Sequence, residues 1–406
     1  MMRKYFYSNH SQVSFMKKIS LLVSALIFSL NLFANPTITP SAPEIGAKGY
    51  LLIDFNSGKV LSENNSDVRL APASLTKMMT SYIIGQEIKS GNLSPTDKVT
   101  ISEKAWSKNF PESSKMFIEV GKEVSVADLN RGIIIQSGND ACVAMAEYIA
   151  GSEGAFADLM NSWAAQLGMD NTQFKNSHGL TAEGHYTTPH DMALLAQALI
   201  NDVPDEYLIY SEKSFKFNGI DQPNRNSLLW DKSLDVDGIK TGHTNEAGYS
   251  LISSATKDGM RLISVVMGTH STSARLTESK KLLNWGFRFF ETLTPYNAGE
   301  QLANERIWMG SQAMIRLGVK DDTPITLPRG EAKNLTANFI IKNELRAPIR
   351  KGDVVGKVNY SVTGQQADPD QTVATYDLIA LETVEEGGLF SRLIDYIKLL
   401  FISWFS

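Results

Sequence analysis

The chain carries one cysteine, Cys142, among its 406 residues. That excludes an intramolecular disulfide and a cysteine-rich zinc site. Histidine is scarce, with six in all, and none has the His-Glu-x-x-His spacing of a helical zinc peptidase. There is no basic excess: 39 lysines and arginines face 44 acids, a net charge of −5. Arg3, Lys4, Lys17 and Lys18 all lie in the first 34 residues, which hold no acid, so the remainder is more acidic still. A general nucleic-acid footprint is therefore lacking. What remains is an ordinary globular composition, 43% hydrophobic and 20% charged, long enough for two domains and a large core.

The two ends are distinctive. Lys17-Lys18 precedes the apolar run Ile19 to Leu30, and Leu32-Phe33-Ala34 closes it on a small residue. The run is short for a membrane span. It predicts a secretory signal peptide cleaved after Ala34, with Met1 or Met16 as the start, and export to a bacterial envelope. At the other end, the polar residues of Leu389 to Ser406 are Ser391, Arg392, Asp395, Lys398, Ser403 and Ser406. At about 100° per residue they share an arc of roughly 140°. Such a helix suits a membrane interface, with Tyr396 and Trp404 at headgroup level. The alternative is a helix packed on its own domain.

Between the ends, Tyr50 to Leu61 reads as strand, Asn56-Ser57-Gly58 turn and strand. Pro72-Ala73-Ser74 starts a helix with Leu75, Met78, Met79, Tyr82 and Ile83 on one face. Helices are also predicted over 128–136, 140–150, 158–167, 189–200 and 279–290. Tyr249 to Ala255 and Arg261 to Met267 flank a Lys257-Asp258-Gly259 turn, the pattern of a β-hairpin. After Tyr296 only short alternating runs appear, at 337–342, 354–362 and 375–381, between turns such as Lys351-Gly352 and Asp368-Pro369. This predicts a small all-β domain, a sandwich, of roughly 90 residues. The larger domain is predicted to be α/β (α+β), an antiparallel sheet flanked by helices.

Three short stretches carry chemistry. Ser74-Leu75-Thr76-Lys77 places a hydroxyl and an amine on one face at a helix start. A serine hydroxyl becomes nucleophilic when a nearby amine of lowered pKa takes its proton, and a helix N-terminus favours an oxyanion. Ser-x-x-Lys also occurs at Ser14 to Lys17 and Ser254 to Lys257. The first lies in the signal region and the second in the hairpin, so context selects Ser74. Ser137-Gly138-Asn139 offers a hydroxyl for proton relay and an amide for a substrate carbonyl; alone, it is an ordinary turn. Lys89-Ser90-Gly91-Asn92 resembles it, but fits the stop of the Ser74 helix better. In Lys240-Thr241-Gly242, a lysine and a hydroxyl can hold a carboxylate, and the glycine lets a peptide approach the strand edge. Alone, it is a solvated lysine beside a turn.

Taken together, Ser-Leu-Thr-Lys, Ser-Gly-Asn and Lys-Thr-Gly-His resemble the active-site elements of the penicillin-recognising serine enzymes. The likeness is greatest to the low-molecular-mass penicillin-binding proteins that are D-alanyl-D-alanine carboxypeptidases. It extends to Pro72 to Lys77, Gln136 to Cys142, Ser177-His178-Gly179-Leu180, Asn224-Arg225-Asn226, Asp237 to Thr244 and Glu278 to Leu283. The resemblance implies a serine β-lactamase/transpeptidase-like domain with a cleft between the Ser74 helix and the Lys240 strand. Ser74 is then the acylated nucleophile, Lys77 its base and Ser137 a relay. Asn139, Lys240, Thr241, Gly242, His243 and Arg275 bind substrate. The backbone N–H groups of Ser74 and His243 form the oxyanion hole, with the His243 imidazole no base. Arg225 and Cys142 read as structural.

The expected division is 1–34 signal, 35–296 catalytic domain, 297–386 all-β domain and 387–406 membrane-anchoring helix. Implied partners are peptidoglycan stem peptides ending in D-Ala-D-Ala, β-lactams as covalent inhibitors, and the periplasmic face of the cytoplasmic membrane through Leu389–Ser406. No nucleic acid, metal or cofactor is implied. A β-lactamase, a cross-link-cleaving endopeptidase and a non-catalytic peptidoglycan-binding protein stay open. For a β-lactamase, nothing marks Glu112 or Glu119 as the glutamate that activates a deacylating water.

Overall fold

The computed structural model describes residues 39–363 and 372–405. The signal segment and the Asp368-Pro369 turn lie outside them. The chain opens with β1 (Gly49–Asp54) and β2 (Val60–Asn64), then a 3-10 turn (Ala73–Thr76) that runs into α1 (Lys77–Lys89). A small hairpin, β3 (Lys98–Thr100) with β4 (Glu123–Ser125), leads to α2 (Val126–Ile134), α3 (Asn139–Ala150) and α4 (Glu153–Gln166). Next come α5 (Pro189–Asp202), the single turn α6 (Pro204–Tyr207), and the hairpin β5 (Ser214–Phe217) with β6 (Ile220–Pro223). Three long strands, β7 (Asp235–Thr244), β8 (Gly248–Lys257) and β9 (Met260–Thr269), precede α7 (Thr272–Phe289).

The main sheet has the order β2-β1-β9-β8-β7, antiparallel throughout. Every residue of β1 is buried, because helices cover both faces. Leu52, Leu251, Leu262 and Val266 pack on Leu282, Leu283 and Phe287 of α7. On the other face, Leu51, Ile53, Ile252, Ile263 and Val265 share a core with Met78, Met79 and Tyr82 of α1 and Met192 and Leu195 of α5. β7 is left at the sheet's edge. The β8–β9 hairpin follows its turn chemistry: Asp258 and Gly259 both take positive φ, 52° and 80°, as a two-residue turn of this hand requires.

Three helices differ from expectation, α4 by beginning at Glu153 rather than Asp158, behind a Ser152 cap. For α1 the sequence predicted one apolar face, yet every residue from Lys77 to Gly85 is buried, Thr80 and Ser81 included. The helix passes through the interior, where Thr80 Oγ1 donates to the Ser177 carbonyl instead of water. It stops at Lys89, as predicted. α7 begins seven residues before the predicted Ser279. Ser271 Oγ caps it by accepting from Ala274 N at 3.0 Å, and the polar first turns hid it from an apolar-periodicity reading.

The β domain holds more strands than its alternating runs disclosed. β10 (Phe290–Leu293) pairs with β13 (Ile325–Pro328). The others are β11 (Gln301–Trp308), β12 (Met314–Val319), β14 (Leu335–Ile341), β15 (Leu345–Arg346), β16 (Val354–Val362) and β17 (Thr372–Ala380). They form one six-stranded sheet, β14-β16-β17-β12-β11-β15. Where a sandwich was expected, the strands thus divide between this sheet and a two-stranded ladder, around a core that includes Ile307, Leu317, Val358, Tyr360 and Leu378.

Asp54, fully buried at the end of β1, joins the domains. Its Oδ1 accepts from Ser57 N at 2.8 Å and Ser57 Oγ at 2.9 Å, and its Oδ2 from Thr292 Oγ1 of β10 at 2.7 Å. Lys59 Nζ donates to Thr326 O of β13 at 3.0 Å.

α8 (Leu389–Phe405) closes the chain. It docks by its polar stripe. Asp395 accepts from Arg306 Nη2 and from Met309 N, both at 2.9 Å. Leu389, Phe390, Leu393, Ile397, Phe401 and Trp404 face outward, exposed. Among the described residues, no helix is long and apolar enough to cross a membrane.

Candidate active site

Ser74 sits in the 3-10 turn ahead of α1. The preceding Ala73 has φ +47°, and Ser137, at the other predicted motif, has φ +63°. Left-handed backbone costs a non-glycine residue about 1–2 kcal/mol. Both strained residues adjoin the predicted chemistry, where surrounding packing must hold them. Some of that packing is visible. Gly179 has φ +89°, and a Cβ there would lie 1.8 Å from Ala73 O. The loop carrying Gly179 therefore presses directly on the turn that presents Ser74, and alanine has no room unless that turn moves. From the opposite direction, a Cβ on Gly242 would meet Pro72 O at 3.0 Å and Leu75 Cγ at 3.1 Å. The turn is held between the 179 loop and β7.

Lys77 follows one turn after Ser74 and is 1% exposed. Its Nζ lies 3.3 Å from Ser74 Oγ and 2.7 Å from Asn139 Oδ1, and it also donates to the His178 carbonyl. The Asn139 amide is fixed at its far end, where Nδ2 donates to Ser113 Oγ at 2.9 Å. Burial, above all, pulls the Lys77 pKa from 10.5 to about 8, and the Arg225 guanidinium adds to the effect.

Lys240 is 3% exposed on β7. Its Nζ donates to Ser137 Oγ at 3.1 Å and to Thr241 O at 3.2 Å. Burial, then Lys77, Arg225 and Arg275, push its pKa well below the usual lysine value. Arg275, on the first turn of α7, donates to Gly242 O at 3.2 Å. Four cationic side chains thus act on one another here, and among the described residues none has an acidic partner within ion-pair distance. The nearest acid on α3, Asp140, accepts from the N–H groups of Met116, Phe117, Ile118 and Ala141 instead. This unbalanced positive charge, buried at Lys77, Lys240 and Arg275 and exposed at Arg225, favours an incoming anion.

Of the predicted site residues, Ser74, Lys77 and Asn139 form one bonded set, and Ser137, Lys240 and Thr241 a second. Gly242 and Arg275 flank both. His243 differs: its exposed ring stacks on Tyr249 with centroids 4.0 Å apart, away from any proton-transfer contact with Ser74 or Lys77. Cys142 is buried in the core under α2 and α3, and burial pushes its thiol up to about 12. It is a neutral packing residue at ordinary pH. Glu112 and Glu119 are exposed and make no hydrogen bond to Ser74 or Lys77.

Sequence reasoning set Arg225 aside as structural, yet its charge bears on Lys77, Lys240 and Arg275 alike. It also missed the His178 carbonyl and Ser113. A local signal existed for the first. Asn176 Oδ1 accepts from Gly179 N at 2.6 Å, the side-chain-to-backbone turn that Asn-x-x-Gly favours.

Comparison with known proteins agrees with this geometry. The family model described as D-alanyl-D-alanine carboxypeptidase matches residues 36–271, and that of the penicillin-binding protein 5 C-terminal domain matches 290–386. D-alanyl-D-alanine carboxypeptidase DacA of Escherichia coli is 53% identical over 373 residues, 91% of each chain. The crystal structure of penicillin-binding protein 5 from Haemophilus influenzae, 48% identical, superposes with a TM-score of 0.82 over 86% of this chain and 100% of that one. A penicillin-binding protein from Listeria monocytogenes in its cefotaxime-bound form, 28% identical, gives a TM-score of 0.56 over 61% of this chain and all of that one. With both domains matched, the chain belongs to the D-alanyl-D-alanine carboxypeptidase family, serine peptidases on the penicillin-binding protein fold.

Proposed function

We propose that Ser74 is the residue acylated when this carboxypeptidase removes the terminal D-alanine from peptidoglycan stem peptides. Serine-type hydrolysis follows from its family. The residue roles rest on one observation, the three oxygens around Lys77 Nζ. A neutral amine keeps two N–H donors and one lone pair. Asn139 Oδ1 and the His178 carbonyl accept the two N–H groups, and the lone pair is left for the third and longest contact, the Ser74 hydroxyl. That is the arrangement of a general base.

Ser74 Oγ attacks the carbonyl carbon of the penultimate D-Ala, and its proton passes to Lys77 Nζ. Backbone N–H groups of Ser74 and His243 hold the oxyanion. As the tetrahedral adduct collapses, the C–N bond breaks, and the departing amine receives the proton from Lys77 by way of Ser137. Water then attacks the ester carbonyl and gives a proton to Lys77, which returns it to Ser74 Oγ. Lys240, Thr241 and Arg275 bind the substrate's terminal carboxylate, with Arg225 adding to the positive field. Gly242 lets the peptide lie along the open edge of β7. A β-lactam offers a carbonyl and a carboxylate in like positions and acylates the same serine.

The assay is release of free D-Ala from a diacylated D-Ala-D-Ala peptide. No release would remove the reading in favour of a binding protein, and rapid penicillin turnover would favour a β-lactamase.

The proposed division keeps 1–34 as signal and 387–406 as anchor, and moves the boundary between the catalytic and β domains from 296 to 290, so that β10 lies with its partner β13, with the enzyme peripheral on the outer face of the cytoplasmic membrane. The outward apolar face of α8 supports the last point. The mature chain should float with lipid vesicles, and Phe401→Asp with Leu393→Asp should abolish flotation. Flotation of that double variant would sink the anchor reading.

A further inference from the structure

Glu153 is the first residue of α4, and its function is not evident from the motifs. Its Oε1 accepts from Ser177 N at 3.2 Å and from Ser177 Oγ at 2.8 Å, and lies 3.3 Å from His178 Nε2. Both donors of Ser177 thus converge on one carboxylate oxygen, with the next residue's ring beside it. The imidazole between them has a settled tautomer. Nδ1 accepts from Leu180 N at 3.1 Å, so in the neutral ring Nε2 carries the proton, on the side of Glu153. Burial, with Lys77 and His185 nearby, pushes the His178 pKa down to about 3, so the ring is neutral under working conditions.

The other side of the same dipeptide reaches the catalytic helix. Ser177 O accepts from Thr80 Oγ1 at 2.6 Å, and His178 O accepts from Lys77 Nζ. Glu153 holds the N–H and hydroxyl of Ser177 and lies against the His178 ring, while the carbonyls of both residues hold α1. We infer that Glu153 is a positioning residue for Lys77, fixing the His178 carbonyl that receives one of the lysine's N–H groups. This rests on the general-base reading of Lys77. If the carbonyl drifts, that N–H turns to the nearest remaining acceptor, Ser74 Oγ. Lysine then donates to the oxygen whose proton it should take, and the productive orientation becomes rare. Substrate binding is untouched, because Lys240, Thr241 and Arg275 lie on β7 and α7.

The test separates the acylation rate constant from the preceding dissociation constant, by stopped-flow with a fluorescent penicillin on the mature chain. Glu153→Ala should lose about tenfold or more in acylation rate, as small misplacements of a reacting group do, with the dissociation constant unchanged. Glu153→Gln keeps the accepting oxygen and should stay within about threefold of the parent. Glu153→Asp, too short to reach, should resemble alanine and serves if the alanine variant does not melt cooperatively. A folded Glu153→Ala or Glu153→Asp protein that acylates at the parent rate overturns the inference. So does a loss confined to the dissociation constant, or a glutamine variant as impaired as alanine. Ser74→Ala in the same assay keeps the two readings apart. If it still labels, the active-site reading fails. If it does not label but Glu153→Ala acylates normally, only the positioning role is lost.

Discussion

Ser74→Ala is expected to abolish covalent labelling by a fluorescent penicillin and D-Ala release, a loss on the order of 10⁴-fold or more, as removal of a serine nucleophile produces. Stability should barely change. The Ser74 side chain makes one hydrogen bond, to Lys77, and Lys77 retains Asn139 and the His178 carbonyl without it. Losing one such bond is worth roughly 1 kcal/mol. The variant should therefore melt near the parent temperature and still bind penicillin reversibly, since the cations on β7 and α7 are intact. Mass spectrometry of the intact protein after penicillin treatment is decisive: an adduct on the alanine variant would refute the nucleophile assignment.

Lys77 gives the second large effect, visible in its pH dependence. Burial holds its pKa near 8 rather than 10.5. The amine must be neutral to take the Ser74 proton, and it is neutral above that pKa. Acylation rate should rise about tenfold per pH unit on the acid side and level off above about pH 8. Lys77→Arg fixes a permanent cation at the same place. It should cost on the order of 10²–10⁴-fold in acylation and remove that ionisation from the profile, as loss of a general base does. A pH profile for the arginine variant that matches the parent would show that another group takes the proton. Lys240 titrates in the opposite functional sense. Its pKa is also depressed, but it acts as a cation, so carboxylate binding weakens as pH rises and the bound anion itself favours its protonation.

Much of this site was legible because each motif brings its own backbone context. Ser-x-x-Lys at a helix start is informative because one helical turn determines that both side chains share a face. The β8–β9 hairpin was readable from Asp258-Gly259 for a similarly local reason. What stayed hidden depends on contacts between distant segments. Nothing in residues near 178 announces that a main-chain carbonyl will meet Lys77, which lies 101 positions earlier. Arg225 looked structural because its influence is a field, not a motif. The burial of α1 on every side reflects how the α2–α4 layer closes over it, and propensity cannot foresee that. In the β domain, β11 and β12 alternate too weakly to stand out, and β10, β13 and β15 are too short.

The bonds from Asp54 to Thr292 and from Lys59 to Thr326 tie the two domains together. With Asp395 of the final helix bonded to Arg306 and Met309, contacts run on from that helix through the β domain to the catalytic domain. On any surface that holds the helix, the cleft then stands at a set altitude. Peptide ends at that height are met at high local concentration, while those nearer or farther are out of reach. The molecule would then select substrate by a ruler as well as by chemistry, a property that a flexible tether could not supply.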